Sequence, residues 1–517
     1  MQRKKSWKSA AMIMMSVISV TLAACSNDSN VAKSETPVAS NGPDLSEHVN
    51  LTWYLVGDPP KDMDKVLTEF NKMAEKDLNT TLSIKFTSWT DWQTKYNLLL
   101  TSGEPIDMIY AANWLDFYKY AKQGAFVDIS SLLPTDMPDT WSKVPKDDWK
   151  AATIDNKIYA VPNTNPNWAV DGFYYREDWR QELNLPEIKD LDTLGQYMDG
   201  VKKAKTGVIP INGNPYDGLL DLFTTSTDFQ LLGGYTSPIA SKSYMDPRDI
   251  VIYPFTPEYA DYVKRMKQWA DNGYWSKNAL IAKQSPGEMI TSGTGAINWG
   301  NIDKTKGFIE DLAKKKPEMK IGYFNFSQFK GYAMADPTVN NAMAIPRSSK
   351  HIDRSLMLLD KIRNNESYFN LITYGIQGTH YDLDTDGKSL VIPPAGVDPK
   401  NFVRYDISGW GWYTQQNLKP NKDEWTGYKP LKEKMASISK PNIFDGITMD
   451  YEPVKSQLAA VNSVVEQYGM PLMVGAVKDV DAALKTYQDK LKQAGVEALA
   501  DYIKEQANKH FDEIGIQ

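Results

Sequence analysis

The sequence predicts an α/β fold with at least two lobes. Segments with the periodicity of strands alternate with segments that have the periodicity of helices, beginning near residue 50. Strand, helix, strand, helix and strand follow one another within about 65 residues, which is typical of βαβ units around a parallel sheet. The chain has 517 residues. A single core stops growing at about 250–300 residues, so a chain of this length divides into lobes.

The predicted elements follow from local patterns. The first strand is predicted in the apolar run LTWYLV, which ends at Gly57 and the prolines 59 and 60. The next segment predicts a helix because apolar residues recur at helical spacing, at Met63, Val66, Leu67, Phe70, Met73 and Ala74. TLSIKF alternates as a strand does, DWQTKYNLLLTSGEP predicts a helix, and IDMIYAAN predicts a third strand.

Two later segments have apolar stripes that we interpret as helix faces packed in a core. The first stripe, in EYADYVKRMKQWA, consists of Tyr259, Tyr262, Val263, Met266 and Trp269. The second, in VEALADYIKEQANKHF, consists of Val496, Leu499, Ile503 and Ala507.

The N-terminus has the layout of a secretory signal peptide over residues 1–24. Its positive region contains Arg3, Lys4, Lys5 and Lys8, and an apolar run over residues 10–20 follows. This run is shorter than the roughly 20 residues that a membrane span needs. An uncleaved N-terminal anchor helix is the alternative.

The only cysteine, Cys25, follows this leader. The residues LAAC at positions 22–25 resemble the bacterial lipobox, and this resemblance implies that Cys25 carries a diacylglycerol and palmitate and becomes the mature N-terminus. A free thiol in a discarded leader is the alternative. Residues 25–46 are small and polar, too poor in apolar surface to fold, and are predicted to be a tether between the lipid anchor and the lobes.

Composition excludes several functions. The net charge is −7 and basic clusters are absent, which argues against nucleic acid and an anionic membrane surface as partners. No cysteine follows Cys25, so disulfides and thiolate metal sites are excluded. The four histidines lack metal-ligand spacing, and no nucleophile-elbow or phosphate-loop motif occurs. We therefore predict no cofactor, no metal and no catalytic residues.

One motif resembles the opening of a calcium loop. Asp382, Asp384, Asp386 and Gly387 have the required spacing, but Pro393 stands where a bidentate glutamate is expected. The same DTDG sequence is typical of a hairpin turn. The sequence leaves a structural calcium ion and a plain hairpin as alternatives.

Several longer segments resemble the carbohydrate-associated family of extracellular solute-binding proteins, the receptors of bacterial ABC importers. They are IYAVPNTNPNWAVDGFYYREDWRQELNLP, ITSGTGAINWGNID and NAMAIPRSSKHIDRSLMLLDKI. YGIQGTHYDLDTDGKSLV and DYEPVKSQLAAVNSVVEQYGMPLMVG resemble the LipO-like lipoprotein branch of the family, which has its own C-terminal region. The order and spacing of these segments carry the resemblance, which covers nearly the whole mature chain.

The resemblance implies a two-lobed periplasmic-binding-protein-like fold with a hinge and an interlobe ligand cleft. The expected N-terminal lobe comprises residues 47–163 and 328–380. The expected C-terminal lobe comprises residues 164–327 and 381–517 and includes the LipO-like region. Ligands of open α/β sheets bind at the carboxyl ends of strands, and pockets favour domain interfaces, so both arguments predict the same cleft.

The resemblance also implies a function. The protein is expected to be a monomeric, non-enzymatic receptor, held by its lipid anchor on the extracellular face of the bacterial cell membrane. It would capture a carbohydrate, an oligosaccharide, and deliver it to the permease subunits of an ABC transporter. The alternatives are a receptor for another polar nutrient, such as a peptide, and a cell-surface glycoside hydrolase.

Sugars have apolar C–H faces and rings of hydroxyl groups, so a sugar site needs flat aromatic surfaces and polar side chains. Candidate residues follow predicted strands, lie at the first predicted crossing between the lobes, or belong to the loop SGWGWYTQQN. The predicted ligand-binding residues are Trp299, Trp410, Trp412, Trp114, Trp168, Asn113, Asp116, Asp171, Asn301 and Asp303. Trp299 is the first choice, because an aromatic residue after this strand commonly faces the ligand in the resembled family. Core packing is the alternative for each tryptophan.

Overall fold

The computed structural model of the protein describes residues 44–89, 91–169, 171–234, 236–283, 286–447 and 449–517. These residues belong to one unit that begins at Asp44. The predicted signal peptide, Cys25 and most of the predicted tether lie outside the described residues. No described helix has the length and apolar character that a membrane span requires.

The N-terminal lobe is built on a five-stranded sheet. Its strands lie in the order Thr80–Thr87, Val49–Val56, Met108–Ala111, Ala342–Ala344 and Val161–Pro162. The first three strands are parallel, with Trp53 beside Ile84 and Met108, and the last two are antiparallel to their neighbours. The predicted βαβ arrangement at the start of the folded chain is confirmed.

Helices cover this sheet and bury its apolar side chains. The helix Met63–Leu78 buries Val66, Phe70 and Ala74 of its predicted stripe together with Leu78. The other members of the stripe, Met63, Leu67 and Met73, are partly buried. The other helices of the lobe are Trp92–Thr101, Phe117–Lys122, Leu133–Asp136, Pro138–Lys143, Ile352–Asn364 and Glu366–Tyr374. A short hairpin joins Thr153–Ile154 to Lys157–Ile158.

The C-terminal lobe contains two small antiparallel sheets. One has the strands Ile297–Trp299, Gly172–Arg176 and Ile321–Asn325, and the other has Ile250–Ile252, Ile239–Ser241 and Gln230–Leu232. The surrounding helices are Glu177–Glu182, Leu191–Ala204, Tyr216–Thr227, Pro257–Asp271, Pro286–Ser292, Ile302–Lys315 and Ser327–Lys330, followed near the C-terminus by Lys455–Val464, Met470–Met473, Val480–Gln493 and Val496–Glu513. The two predicted helix stripes are buried as expected.

In the described part of the chain three segments connect the lobes, at residues 163–169, 333–341 and 439–443. The first two run side by side, and the Asp336 N–H donates a hydrogen bond of 2.9 Å to the carbonyl oxygen of Asn167. The strand Ala333–Ala335 pairs with Ser439–Pro441 in the same region. The helix Tyr428–Ser437 packs beside these segments, where Trp168 and Met435 share a small apolar cluster. These segments form the connection about which the lobes would rotate.

The division into lobes differs from the predicted one in a single long segment. Residues 381–517 were assigned to the C-terminal lobe, but Tyr405, Ile407 and Trp412 are buried in the core of the N-terminal lobe. Trp412 reaches Trp53 of the strand Val49–Val56, with ring centroids 6.4 Å apart. The third connection therefore follows Trp412 in the chain and does not lie near residue 380.

The DTDG segment forms a hairpin between the strands Asp382–Leu383 and Leu390–Val391. The Asp386 carboxylate accepts hydrogen bonds from the N–H groups of Lys388 and Ser389, and Asp384 forms an ion pair with Lys422. Asp386 thus stabilises the turn, and Asp384 pairs with the neighbouring Lys422. Among the described residues, no group of acidic, histidine or cysteine side chains has the arrangement of a metal site.

Candidate ligand-binding cleft

A large cavity lies between the lobes, beside the connecting segments. Its volume is about 1670 Å³, larger than the roughly 300–1,000 Å³ that is typical of sites for small molecules. The N-terminal lobe, the C-terminal lobe and the connections all contribute to its lining. Its size and position fit an extended ligand that contacts both lobes at once.

Three tryptophans form an aromatic wall on the N-terminal side, which we call the tryptophan wall: Trp89, Trp114 and Trp410. The ring of Trp89 stacks on that of Trp114, with centroids 6.2 Å apart and planes 21° apart. The Trp410 ring lies 5.9 Å from that of Trp89, with its plane tilted by 34°. Trp89 is 46% exposed and Trp114 is 39% exposed, which is unusual for such large apolar rings. The three rings thus form an apolar surface that lines the cavity.

The wall stands at the carboxyl ends of the parallel strands. Trp89 follows Thr80–Thr87, and Trp114 lies in the turn after Met108–Ala111. The Trp114 indole N–H donates to the carbonyl oxygen of Asn340, 2.9 Å away, which fixes its ring. Gly57 follows the strand Val49–Val56 with a φ of 126°, and a Cβ there would lie 2.7 Å from the Ser408 hydroxyl oxygen. Only glycine allows this close approach behind the wall.

Asparagine amides support the wall from the connecting segments. The Asn163 side chain donates a hydrogen bond of 2.8 Å to the carbonyl oxygen of Trp410. The Tyr110 hydroxyl, beneath the wall, donates to the amide oxygen of Asn341. The side chain of Asn340 donates to Asp336, 3.0 Å away. The aromatic surface is therefore linked to the polar end of the cavity.

Carboxylates gather at that end, where the connecting segments meet. Burial raises the pKa of Asp336 to about 7, and the nearby carboxylates of Asp445, Asp171 and Asp303 raise it further, against the effect of Lys432. Burial also raises the pKa of Asp171, which Lys304 partly opposes. We call Asp171, Asp303 and Asp336 the carboxylate cluster. They can accept hydrogen bonds from hydroxyl groups.

The C-terminal wall of the cavity contains a buried lysine. Burial lowers the pKa of Lys330 to about 8, while Asp228 and Asp221 oppose this effect. The Lys330 Nζ lies 4.0 Å from an Asp228 oxygen, and the Tyr332 hydroxyl donates to the same carboxylate. This wall is polar and already internally paired.

Six of the ten predicted ligand-binding residues line the cavity. They are Trp114, Trp168, Asp171, Asn301, Asp303 and Trp410. Trp168 is only 9% exposed, and its indole N–H donates to the Ser439 hydroxyl, 3.0 Å away, so it also holds the connecting segments together. Asn301 caps the helix Ile302–Lys315, accepting from the Lys304 N–H.

The structure does not bring the other four into the cavity. Trp412 is fully buried, and its N–H donates to the Thr373 hydroxyl, 3.2 Å away. Trp299, the first choice, is half-buried within the C-terminal lobe, where its ring meets Phe173 edge-on at 5.7 Å and covers Gly218. Both rings fill apolar space within a lobe.

The remaining two predicted residues form contacts outside the cavity lining. Asn113 donates to the carboxylate of Asp445, 2.7 Å away, and so connects the N-terminal lobe to the C-terminal region. Asp116 is exposed and forms an ion pair with Lys119 at 3.3 Å. Neither contact leaves a group directed at a ligand.

Sequence reasoning missed many residues of the cleft lining, Trp89 and Asp336 among them. Trp89 follows a parallel strand, and the same criterion that selected Trp114 would have found it. Asp336 had no such signal, because its role depends on the second connecting segment returning beside the first.

Two lobes, three connecting segments and a large cavity between the lobes define a binding protein that holds a solute in an interlobe cleft. The chain belongs to the family of bacterial extracellular solute-binding proteins, whose profile matches residues 65–369. Residues 443–512 match a domain of unknown function, DUF3502. This membership confirms the predicted family and the extracellular location.

Relatives and solved structures extend this likeness over the whole folded chain. A carbohydrate ABC transporter substrate-binding protein of Streptococcus pneumoniae is 22% identical, over 98% of this chain and 99% of that protein. The polygalacturonan/rhamnogalacturonan-binding protein YtcQ of Bacillus subtilis is 27% identical, over 79% of this chain and 78% of that protein. The crystal structure of the N-glycan transport solute binding protein of S. pneumoniae is 18% identical, covers 90% of this chain and 99% of that one, and has a TM-score of 0.72. The predicted fold class is confirmed.

Proposed function

We propose that this protein is a lipid-anchored receptor that captures an oligosaccharide in the interlobe cleft and delivers it to the permease of an ABC transporter. The observation that carries the proposal is the tryptophan wall, whose rings line a cavity of about 1670 Å³, a volume that has room for several sugar residues. The names of the relatives support a carbohydrate as the class of ligand.

The cleft has both surfaces that a sugar needs. Aromatic faces favour the C–H faces of a pyranose, and each buried ring contributes at about 25 cal/mol per Å² of apolar area removed from water. The carboxylates and asparagine amides of the connecting segments provide acceptors and donors for hydroxyl groups. A peptide would need partners for its backbone N–H and C=O groups along its length, whereas the tryptophan wall has only indole N–H donors and no acceptor.

A glycan panel tests this function directly. Purified protein is incubated with neutral and acidic oligosaccharides while its thermal unfolding is followed. A ligand at 100 times its dissociation constant should stabilise the protein by about 2.7 kcal/mol. The same mixtures are then analysed for shorter products, which a glycoside hydrolase would form and a receptor would not. Stabilisation by peptides alone, or release of shorter sugars, would contradict the proposal.

Ligand binding is expected to close the lobes. Only a closed form contacts the ligand from both lobes, so binding shifts the population towards it. Solution X-ray scattering should show a smaller radius of gyration with a saturating glycan than without it. A glycan that does not stabilise the protein is the control, and an unchanged radius with a bound glycan would indicate a preformed pocket.

Replacing Cys25 with serine is expected to release the protein from membranes or to stall its processing, because a hydroxyl group cannot form the thioether of a lipid anchor. Two acyl chains hold a protein firmly, at about 0.8 kcal/mol per buried methylene. Membrane fractionation and the size of the mature chain are the measurements. Ser29→Ala, in the predicted tether, is the matched control and should remain on the membrane. A fully processed, membrane-bound Cys25→Ser protein would refute the anchor.

A further inference from the structure

The charges around the cleft restrict which oligosaccharides it can hold. Within the described part of the chain, none of the carboxylates of Asp171, Asp303 and Asp336 has a lysine, arginine or histidine nitrogen within 4.0 Å. Asp303 accepts from the Tyr428 hydroxyl at 2.7 Å, and Asp336 accepts from Asn340. Their remaining oxygen lone pairs are free for donors brought by a ligand.

Most cations of the cavity lining already have partners. Lys306 lies 2.6 Å from Glu310, Lys330 lies 4.0 Å from Asp228, and Lys419 lies 2.8 Å from Glu366. These pairs leave few positive groups to neutralise an acidic sugar. A carboxylate on the ligand would have to break one of them.

Lys432, whose charge acts on Asp303 and Asp336, also has other contacts. Its Nζ donates to the carbonyl oxygen of Pro166 at 2.8 Å and lies 5.2 Å from the centre of the Trp168 ring. Burial lowers the pKa of Lys432, and Asp303 and Asp336 oppose this effect. Lys432 therefore neutralises the negative charge of the carboxylate cluster only in part.

Three of the described lining cations are exposed, Lys304, Arg404 and Lys429. Lys429 lies 4.0 Å from an oxygen of Glu433. Lys304 lowers the pKa of Asp171, so the positive charge of this lysine already acts on the carboxylate cluster. Arg404 lines the cavity together with Asp406, two positions further along the chain. Beside the connecting segments, the three carboxylates of Asp171, Asp303 and Asp336 thus outnumber the two lysines, Lys304 and Lys432, whose charges lower the pKa of Asp171 and Asp336.

We propose that the cleft selects oligosaccharides that carry no acidic groups, with Asp171 and Asp336 as the residues that determine this specificity. The proposal rests on the proposed function and narrows its class of ligand. An ionised carboxylate accepts hydrogen bonds from neutral sugar hydroxyls, and such charge-assisted bonds are stronger than neutral ones. The same carboxylates repel a uronate, and like charges brought together oppose binding of the wrong partner.

Matched ligands test the proposal by titration calorimetry with the full-length protein. The neutral set is maltotetraose, cellotetraose, mannotetraose, galactotetraose and the methyl ester of tetragalacturonate, and the acidic ligand is tetragalacturonate. The ester has the linkage and stereochemistry of the acid without its charge. Burial raises the pKa of Asp336 to about 7. The titrations are therefore done at pH 8, where this carboxyl group is mostly ionised. We expect the acid to bind at least about tenfold more weakly than its ester and than the tightest neutral ligand.

The double variant Asp171→Asn, Asp336→Asn keeps the shape of the site and removes two charges. The ratio of the dissociation constants of tetragalacturonate and its methyl ester should then approach one. Asp147→Asn is the matched control, since Asp147 is exposed, pairs with Lys150 at 2.8 Å and lies outside the cavity lining.

Tetragalacturonate that binds within about tenfold of the neutral ligands would overturn the inference while leaving the proposed function intact. A double variant that discriminates like the wild type would overturn the assignment to these two aspartates. Binding of no ligand from either set would overturn the inference and the proposed function together.

Discussion

Replacing Trp412 with alanine is expected to lower the free energy of unfolding by about 3–5 kcal/mol, because the substitution leaves a large cavity in the core of the N-terminal lobe. The indole is fully buried, packs on Trp53 and lies against Gly409, where a Cβ would come within 2.1 Å of the ring. The substitution also leaves the Thr373 hydroxyl without its indole partner.

Chemical denaturation measures this loss, and Trp412→Phe is the matched control. Phenylalanine keeps much of the apolar volume and loses the N–H, so a smaller loss is expected, about 1–3 kcal/mol for the unpaired polar group and the reduced packing. Folded Trp412→Ala protein should bind its glycan like the wild type. Normal stability together with weakened binding would instead place Trp412 in the cleft, as its loop sequence predicted.

The pair Trp410 and Trp412 shows where sequence reasoning fails. The sequence GWGWY has neither a helical nor a strand period, so both rings were predicted to face the ligand. The residues Trp410–Trp412 form one turn of 3-10 helix. Such a turn has three residues, so positions two apart point in different directions. One ring therefore lines the cavity and the other enters the core, and only the local conformation decides which.

The strand that contains Trp299 has a sequence pattern that indicates where this side chain lies, and the prediction of the ligand site did not use it. Side chains two positions apart in a strand lie on the same face. Ile297 is buried in the core of the C-terminal lobe, and Trp299 lies on the same face and packs against that core. Strand alternation alone would have favoured the core, whereas the resemblance to the family favoured the ligand.

Periodicity predicted the local elements well because burial acts residue by residue. The helix Pro257–Asp271 buries all five residues of its predicted stripe. The lobe boundaries are harder to predict, because they depend on contacts between residues far apart in the chain. Trp412 and Trp53 are such a pair, and no local pattern indicates that they meet.

Replacing Trp89 with alanine is expected to weaken glycan binding by about 1.5–4 kcal/mol, or roughly ten- to a thousandfold. Trp89 is the middle ring of the tryptophan wall, so its loss removes the stacking surface and the support of both neighbours. The free energy of unfolding should change by no more than about 1 kcal/mol, because the ring is 46% exposed. Titration calorimetry with the tightest glycan of the panel gives the affinity, and thermal unfolding without ligand gives the stability.

Trp141 provides a matched control for this variant. Its ring is 39% exposed and does not line the cavity. The ring centroid lies 5.2 Å from that of another tryptophan, Trp149. Trp141→Ala should therefore bind the glycan like the wild type, which separates loss of an exposed indole from loss of the site. Trp89→Phe retains a flat ring and should recover part of the affinity, since stacking needs an aromatic face rather than the indole N–H. If Trp89→Ala and Trp141→Ala bind equally well, the sugar does not stack on the tryptophan wall and the binding surface lies elsewhere in the cleft.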